Sequence, residues 1–471
     1  MNHDDQRSFP PLPGQDPRRS YPRGFVPVLA IALAVSLLTN LVVLGRLQEE
    51  RDQGARAEAR IEQQQDALDA LRGGLAPQED GPLARIIAAV ERIRGLEFTE
   101  RVEPDLLTSE QLAARVRTAF REDTDREEFE ANQKVLAVFG LVDPEDDLFN
   151  LVRRAQEEQI GGFYDTREKV MVIETRNANA PTALDQVLLS HEFTHAVTDQ
   201  HFDLGRLDKL QEARDDDEAF AFLSLVEGDA QLVSQLYVRA VMTEDEQAEL
   251  FAEIGGIDTQ EFDSLPAFLR ETFEFPYTKG LEFVQAIHRR GGFEALDEAY
   301  RDPPVSTEQI LHPAKYLADE RDDPVQVTLP DVRAALGTGW TQIDAGGIGE
   351  LDLLVIADEG AQSFSRTDAR KAADGWDGGR YVGLSSDRGV LVAVETVWDS
   401  ESEAREAATL FGRWLPLRYG NVGGPFDAGT GNRGWASDEG AGVIRRNGDR
   451  LTMVLGPDRA SVERAASAFR A

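Results

Sequence analysis

The sequence predicts an α+β protein, and three observations lead to that fold class. A run of 21 residues without charge lies near the N-terminus, the middle of the chain repeats apolar residues with helical period around one short hairpin, and all five tryptophans lie beyond residue 335. The expected architecture is an N-terminal transmembrane helix with a helical stalk, a mainly helical domain with a small β-sheet, and a separate C-terminal α+β domain.

The N-terminal 45 residues predict a tail followed by a membrane span. Residues 1–24 contain five prolines and no apolar periodicity, which is typical of a disordered tail. Residues 25–45 carry no charge and, at about 1.5 Å per residue, span a hydrocarbon layer of roughly 30 Å. A cleaved signal peptide is the alternative, but a charged stretch follows directly and no small-residue cleavage site is present.

Arginines at the N-terminal side of this run favour a cytoplasmic N-terminus. The expected location is therefore the cell membrane, with a single pass and the rest of the chain outside. Residues 46–80 place Leu47, Ile61, Leu68 and Leu75 at one heptad position, which predicts a helical stalk able to self-associate weakly. A solvated, charged helix is the alternative interpretation of the same residues.

Composition excludes some functions. With 50 basic and 86 acidic residues the formal net charge is −36, which repels phosphate backbones, so no nucleic-acid partner is expected. The chain has no cysteine, which removes disulfides, thiolate ligands and cysteine nucleophiles. A transition-metal site in this chain must therefore use histidine, aspartate or glutamate.

Residues 81–325 form the predicted mainly helical domain. Helical patterns occur in PLARIIAAVERIRGL and TSEQLAARVRTAF, and GGFYDTREKVMVIET reads as a β-hairpin. A helix is then expected from near Pro181 to about Leu204, with proline in its first turn and Gly205 after its end.

Residues 326–471 form the predicted C-terminal α+β domain. RYVGLSSDRGVLVAVETVW and VIRRNGDRLTMVLG, with its Asn-Gly turn, predict hairpins, and helices are expected to begin near Asp399 and Pro457. No site is evident in this region, and its role is not predicted.

The stretch HEFTH lies on the helix expected between Pro181 and Leu204. His191 and His195 are one helical turn apart, so both imidazoles can bind one ion, and Glu192 can reach a water bound to it. Two histidines and a glutamate in this spacing are typical of a zinc site with a general base. A chance occurrence is the alternative, and it is expected in roughly one such chain in a hundred.

The third ligand has several candidates. Glu227 is the one acidic residue within an otherwise apolar helical section, FLSLVEG, and a zinc ion would satisfy its buried charge. A salt bridge or a surface position for Glu227, or ligation by Asp229 instead, are the alternatives. His201 has the spacing of a third histidine ligand, but Thr198 stands where that motif needs a helix-breaking glycine. Asp199, four residues after His195, either orients a metal ligand by a hydrogen bond or is solvated.

HEFTHAVTD resembles the active-site helix of thermolysin-type peptidases, and EGDA resembles the segment with the third ligand in aminopeptidase-type gluzincins. Together with DQHFDL, these motifs are similar to a group of uncharacterised bacterial zinc metallopeptidases over roughly residues 130–320. The resemblance implies a zincin-like catalytic domain in which His191, His195 and Glu227 bind Zn²⁺ and Glu192 is the base. Two features differ from thermolysin: 32 positions separate His195 from Glu227, and Gln231 stands where thermolysin-type sequences have an acid.

The expected function is a membrane-anchored zinc peptidase that hydrolyses peptide or protein substrates with a zinc-bound water and Glu192 as base. Tyr277 and His312 are candidate donors to the oxyanion, although each also reads as an ordinary packing or loop residue. By analogy with zincins, the strand at residues 170–174 is expected to be a sheet edge for extended substrate. The alternative is a membrane-tethered binding or sensory protein whose zinc site is structural.

Overall fold

A computed structural model describes the chain in nine stretches: residues 81–123, 126–159, 161–174, 181–213, 215–257, 259–360, 364–420, 423–429 and 432–469. Within these stretches the chain forms 17 helices and ten strands. The helices are α1 Pro82–Arg94, α2 Ser109–Asp123, α3 Arg126–Phe139, α4 Leu148–Gln159, α5 Ala183–Phe202, α6 Arg206–Ala213, α7 Asp216–Ala240, α8 Glu244–Ile254, α9 Gln260–Asp263, α10 Ala267–Arg301, α11 Thr307–Leu311, α12 Pro313–Tyr316, α13 Val332–Leu336, α14 Glu350–Glu359, α15 Arg366–Ala373, α16 Glu401–Arg418 and α17 Arg459–Ala466. The strands are β1 Asp105–Leu107, β2 Gly162–Asp165, β3 Val170–Glu174, β4 Thr341–Gly347, β5 Trp376–Ser386, β6 Gly389–Trp398, β7 Gly424–Phe426, β8 Arg433–Ser437, β9 Gly440–Asn447 and β10 Arg450–Gly456.

The smaller sheet has three strands in the order β1-β3-β2. The expected hairpin is β2 and β3, which pair antiparallel from Gly162 opposite Ile173 to Asp165 opposite Val170. Lys169 has a positive φ of 57° at the turn. Strand β1 adds to the other side of β3 in parallel. Strand β3 is therefore the central strand of this sheet, and the expectation that it is an edge open to substrate was wrong.

The larger sheet has seven strands in the order β4-β5-β6-β10-β9-β8-β7, and each neighbouring pair is antiparallel. The two C-terminal hairpins expected from the sequence are β5 with β6 and β9 with β10. Gly448 takes a positive φ of 63° in the second turn, which the Asn-Gly pair favours. Helix α17 covers one face of this sheet with Val462 and Ala465, and α16 covers the other with Phe411 and Trp414.

One hydrophobic core joins the helical part to the larger sheet. It includes Phe139 of α3, Phe222 of α7 and Phe283 of α10 together with Trp398 of β6 and Met453 of β10. Helix α3 packs on strands β4, β6 and β10. The sequence-based expectation of a separate C-terminal α+β domain was therefore wrong, because residues from both sides of position 325 bury one another.

The membrane part of the predicted fold class is also corrected. None of the helices in the described ranges is long and apolar enough to cross a membrane. The longest of them, α10, carries charged residues throughout its length. The predicted single-pass cell-membrane location, with a cytoplasmic N-terminus, is contradicted by the same finding. The predicted tail (residues 1–24), transmembrane helix (25–45) and stalk (46–80) lie outside the described residues.

Candidate metal centre

Helix α5 carries the HEFTH motif, and local contacts fix both of its ends. Thr182 caps the N-terminus in a capping box with Asp185, in which each side chain accepts from the other residue's backbone N–H. Asp203 ends the helix in the left-handed conformation, with φ of 55°, and its N–H donates to the carbonyl of Asp199. The helix therefore ends two residues before the glycine that the sequence suggested as its stop.

Helix α5 is buried almost all round between residues 187 and 199. Its apolar residues, including Leu189, Phe193 and Val197, belong to a second hydrophobic core with α1, the hairpin and the end of α7. Such packing leaves the histidines of α5 in a fixed position, because the helix cannot rotate without exposing this core.

Helix α7 brings Glu227 to the same place. It crosses α5 where Ser190 and Ser234 approach to 3.3 Å between their hydroxyl oxygens. On its other side α7 meets α10 almost backbone to backbone, since a Cβ added to Gly228 would lie 2.3 Å from the carbonyl oxygen of Gly280. The glycine at position 228 therefore permits the close approach of α7 to α10.

Three buried donor atoms form a small triangle. His191 Nε2 lies 3.0 Å from His195 Nε2 and 3.1 Å from Glu227 Oε2, and His195 Nε2 lies 3.5 Å from Glu227 Oε2. Zinc–ligand distances of roughly 2.0–2.1 Å in a tetrahedral site place neighbouring ligand atoms about 3.4 Å apart. The measured separations bracket that value, so this set of two nitrogens and one oxygen fits a zinc ion.

Burial and mutual attraction both shift the pKa values of the three groups in the triangle. Burial lowers the pKa of His191. For His195 burial also lowers the pKa, but attraction to Glu227 outweighs it and the net pKa is raised. Burial would raise the pKa of Glu227, and the two imidazoles hold it below the ordinary value. Glu227 is therefore the carboxylate of this site that stays ionised, as a metal ligand must be.

Two further predicted residues lie at the triangle. Glu192 is fully buried on α5, and its charge contributes to the raised pKa of His195. Tyr277 of α10 is also fully buried, and its ring stacks on that of His191 with 6.3 Å between centroids and 27° between planes. The close approach of Gly280, three residues after Tyr277, to Ser224 of α7 brings this ring to the site.

The other two predicted residues have different partners. Asp199 accepts hydrogen bonds from Tyr164, Lys169 and the backbone N–H of Leu204, at 2.9, 2.5 and 2.9 Å. These contacts tie the end of α5 to the β2–β3 hairpin, and they do not include a histidine of the triangle. His312 pairs with Glu350 at 2.9 Å, in another part of the molecule.

The alternative ligands considered from the sequence are used elsewhere. His201 lies on α5, which stays helical past it, and its Nε2 is 2.9 Å from the carbonyl oxygen of Glu97. Asp229 accepts hydrogen bonds from Arg94 Nε at 2.9 Å and from the Tyr300 hydroxyl at 3.1 Å. Neither residue belongs to the triangle of donor atoms.

Arg94 was missed by sequence reasoning although it lies next to the site. It is fully buried on α1 and pairs with Asp229 and, at 2.8 Å, with Asp297. Its guanidinium also lies over the Phe293 ring, 5.1 Å from the centroid. The sequence does contain an indication of this role, because Arg94 follows Ile93 on the buried face of an amphipathic helix. A charge at such a position requires a buried partner.

Comparison with known proteins informs only the C-terminal part. Residues 336–466 match a domain of unknown function, DUF8575. No curated protein matches the chain. No solved structure matches it either. The matched residues begin within α13 and end with α17, so they contain the larger sheet and lie outside the triangle of donor atoms.

Proposed function

We propose that this protein is a zinc-dependent peptidase of the gluzincin type, with His191, His195 and Glu227 as ligands and Glu192 as general base. The observation that carries the proposal is the triangle of buried donor atoms, with edges of 3.0 to 3.5 Å, beside a buried glutamate on the same helix. The resemblance of HEFTHAVTD and EGDA to metallopeptidase segments supports it. Zinc supplies Lewis acidity, which polarises a substrate carbonyl and makes water more acidic.

Glu192 has the role that distinguishes catalysis from binding. A structural zinc site needs ligands, whereas a hydrolase also needs a group that accepts a proton from water and delivers it to the leaving amine. Glu192 is not part of the triangle, yet it is buried beside His195. A buried carboxylate one residue away from a proposed ligand is well placed to accept the proton of a water at the metal.

Tyr277 is the better supported of the two oxyanion candidates. Its ring stacks on His191, so its phenol group lies next to the proposed ligands. The residues of the site are buried, which strengthens the interaction of a hydrogen-bond donor with a developing negative charge. His312 contacts Glu350 and Asp374 instead. In the proposed mechanism Tyr277 stabilises the developing oxyanion, and His312 has no part in it.

A second candidate function follows from the depth of the site. His191, Glu192, Glu227 and Tyr277 have no exposed surface, and His195 is only 1% exposed. Closed burial is what a structural zinc site shows, so a binding protein with a non-catalytic zinc is the alternative. The peptidase proposal therefore requires a movement that opens the site to a polypeptide.

The test uses the purified full chain, its zinc content and its cleavage of casein and of a peptide library. We expect one zinc in this site in both the wild type and Glu192→Gln, and a decrease in kcat of about 10²–10⁴ in the variant. Tyr277→Phe keeps the ring stack and is expected to lower kcat by about 10²–10³ with little change in KM. Glu145→Gln, at an exposed loop position, is the control and should behave as wild type.

Two outcomes would contradict this proposal, the first its activity and the second its catalytic base. Zinc in every variant with cleavage in none would favour the binding protein. Cleavage that survives Glu192→Gln undiminished would show that the activity uses another base.

A further inference from the structure

A second histidine–carboxylate cluster lies away from the first, in the part of the molecule where α11 and α12 meet α14 and α15. His312 stands between α11 and α12, Glu350 is the first residue of α14, and Asp374 is the C-cap of α15. His312 Nε2 lies 2.9 Å from Glu350 Oε1 and 3.8 Å from Asp374 Oδ1. Three separate segments thus each place one donor atom within 4.8 Å of the other two.

Glu350 is the unusual member of this cluster. Its side chain is only 5% exposed, so its charge is largely removed from water. One oxygen, Oε1, faces His312, whereas Oε2 is buried and has no hydrogen-bond partner among the described residues. A single ion pair with His312 satisfies half of this carboxylate, and a cation bound beside it would use the remaining lone pairs.

The carboxyl groups near this cluster outnumber the positively charged side chains that contact them. Lys315 donates to Glu308, Asp322 and Asp399 at 2.6, 2.8 and 2.6 Å, so its single positive charge is shared by three carboxylates. These three contacts occupy the ammonium group of Lys315, so it does not pair with Glu350 or Asp374. An excess of carboxylates around a histidine attracts a divalent cation.

We propose that His312, Glu350 and Asp374 form a second divalent metal site, of the kind that binds zinc or cobalt. The separations of 2.9 and 3.8 Å lie on either side of the roughly 3.4 Å between neighbouring ligand atoms of a tetrahedral site. Asp374 is 69% exposed, which leaves the remaining coordination positions to water and lets the metal exchange. This site is independent of the proposed peptidase.

The position of the ligands assigns a role to the metal. Glu350 and Asp374 belong to the residues that match DUF8575, and His312 lies before them in the chain. A metal held by all three would fasten the α11–α12 segment to the start of α14 and the end of α15. We therefore expect metal at this site to raise the thermal midpoint of the full chain.

The experiment is equilibrium dialysis of the metal-stripped full chain against buffered free zinc, with zinc counted per chain. The readout is the difference between wild type and variants: His312→Ala and Asp374→Asn are each expected to bind one equivalent fewer than wild type. His201→Ala is the matched control, because His201 is also exposed and contacts a backbone carbonyl. It should keep the wild-type stoichiometry and the full metal-dependent rise in thermal midpoint.

The two metal sites can fail separately. His195→Ala is expected to remove the zinc equivalent of the first site, which His312→Ala leaves in place. Loss of zinc from the first site is therefore distinguishable from loss of zinc from the second. The second site is refuted if His312→Ala and Asp374→Asn bind as much zinc as wild type, which would leave a His312–Glu350 ion pair. Asp374 is an exposed cap residue, so a folded Asp374→Asn chain is available even if His312→Ala unfolds.

Discussion

The two histidine–carboxylate clusters of this protein use similar donors in opposite surroundings. In the first, the paired side chains of His195 and Glu227 are 2% and 0% exposed, and both lie on long helices packed in a core. In the second, His312 is 39% exposed, Glu350 is 5% exposed, and both lie at ends of short elements. Clusters with the same types of donor therefore differ in burial and in the elements that carry them.

Burial sets the energetic difference between the clusters. In a low-dielectric interior an uncompensated charge is costly, so the first cluster depends on each of its members. In the second cluster His312 is 39% exposed, so water can enter the space that its imidazole leaves beside Glu350, and the same change costs less. The first cluster is thus suited to a metal that stays, and the second to a metal that exchanges with solution.

The largest expected effect comes from the same substitution made in both clusters. His195→Ala removes the imidazole that attracts the buried charge of Glu227 most strongly and leaves only His191 beside it, so we expect the free energy of unfolding to fall by about 3–5 kcal/mol. His312→Ala acts on a partly exposed pair and is expected to cost about 1 kcal/mol or less. Urea unfolding of the zinc-free full chain, followed by circular dichroism, gives both values. Equal losses would show that burial does not separate the clusters.

A smaller effect is expected from the glycine contact that assembles the first cluster. A methyl group added at Gly280 would lie 2.1 Å from the carbonyl oxygen of Ser224, so Gly280→Ala must push α10 away from α7. Overpacking of this kind costs about 1–3 kcal/mol. Because α10 also carries Tyr277, we expect a weaker affinity of the first cluster for zinc as well, by about tenfold.

Gly255→Ala is the matched control for this substitution. Gly255 ends α8, and an added Cβ there would meet its nearest neighbours at 3.7 Å, an ordinary contact. It should change neither unfolding nor zinc affinity. If Gly280→Ala also leaves both unchanged, the helices adjust without strain, and the glycine contact does not define the position of Tyr277.

The local parts of this structure could be predicted from the sequence, because they depend on spacing within one element. The proximity of His191 and His195 follows from helical period, and the β2–β3 and β9–β10 hairpins follow from alternating residues around polar turns. Glu227 could be identified as a candidate ligand because it interrupts an apolar section. It contacts histidines that lie 36 and 32 positions earlier in the chain, and this contact requires only that α7 packs on α5.

Features that depend on distant partners could not be predicted. Strand β1 has only three residues, too few for an alternating pattern, yet its pairing makes β3 central rather than an edge. Helix α3 shows an apolar face, but nothing in its sequence indicates that this face covers the larger sheet. The tryptophans mark a change in composition beyond residue 335, and composition does not report which surfaces bury each other.

The smallest expected effect concerns Asp217, which connects the two clusters. It lies at the start of α7, the helix of Glu227, and accepts hydrogen bonds from the backbone and hydroxyl of Thr307, the first residue of the helix that leads to His312. Burial raises the pKa of Asp217 well above its ordinary value, despite the opposing hydrogen bonds from Thr307. The folded chain therefore keeps a proton there that the unfolded chain releases near pH 4.

This difference has a definite sign. Above about pH 4 the folded state binds more protons than the unfolded state at this group, so the free energy of unfolding falls as pH rises toward the folded pKa. Asp217→Asn keeps an acceptor for Thr307 and cannot ionise, so we expect a flatter pH dependence and a change of about 1 kcal/mol at any one pH. Urea unfolding from acid to neutral pH measures it, with the exposed Asp245→Asn as control. Zinc binding at both clusters should stay unchanged, because Asp217 holds α7 against α11 and contacts neither set of ligands. A loss of zinc at either cluster would mean that the contact between Asp217 and Thr307 also positions the ligands.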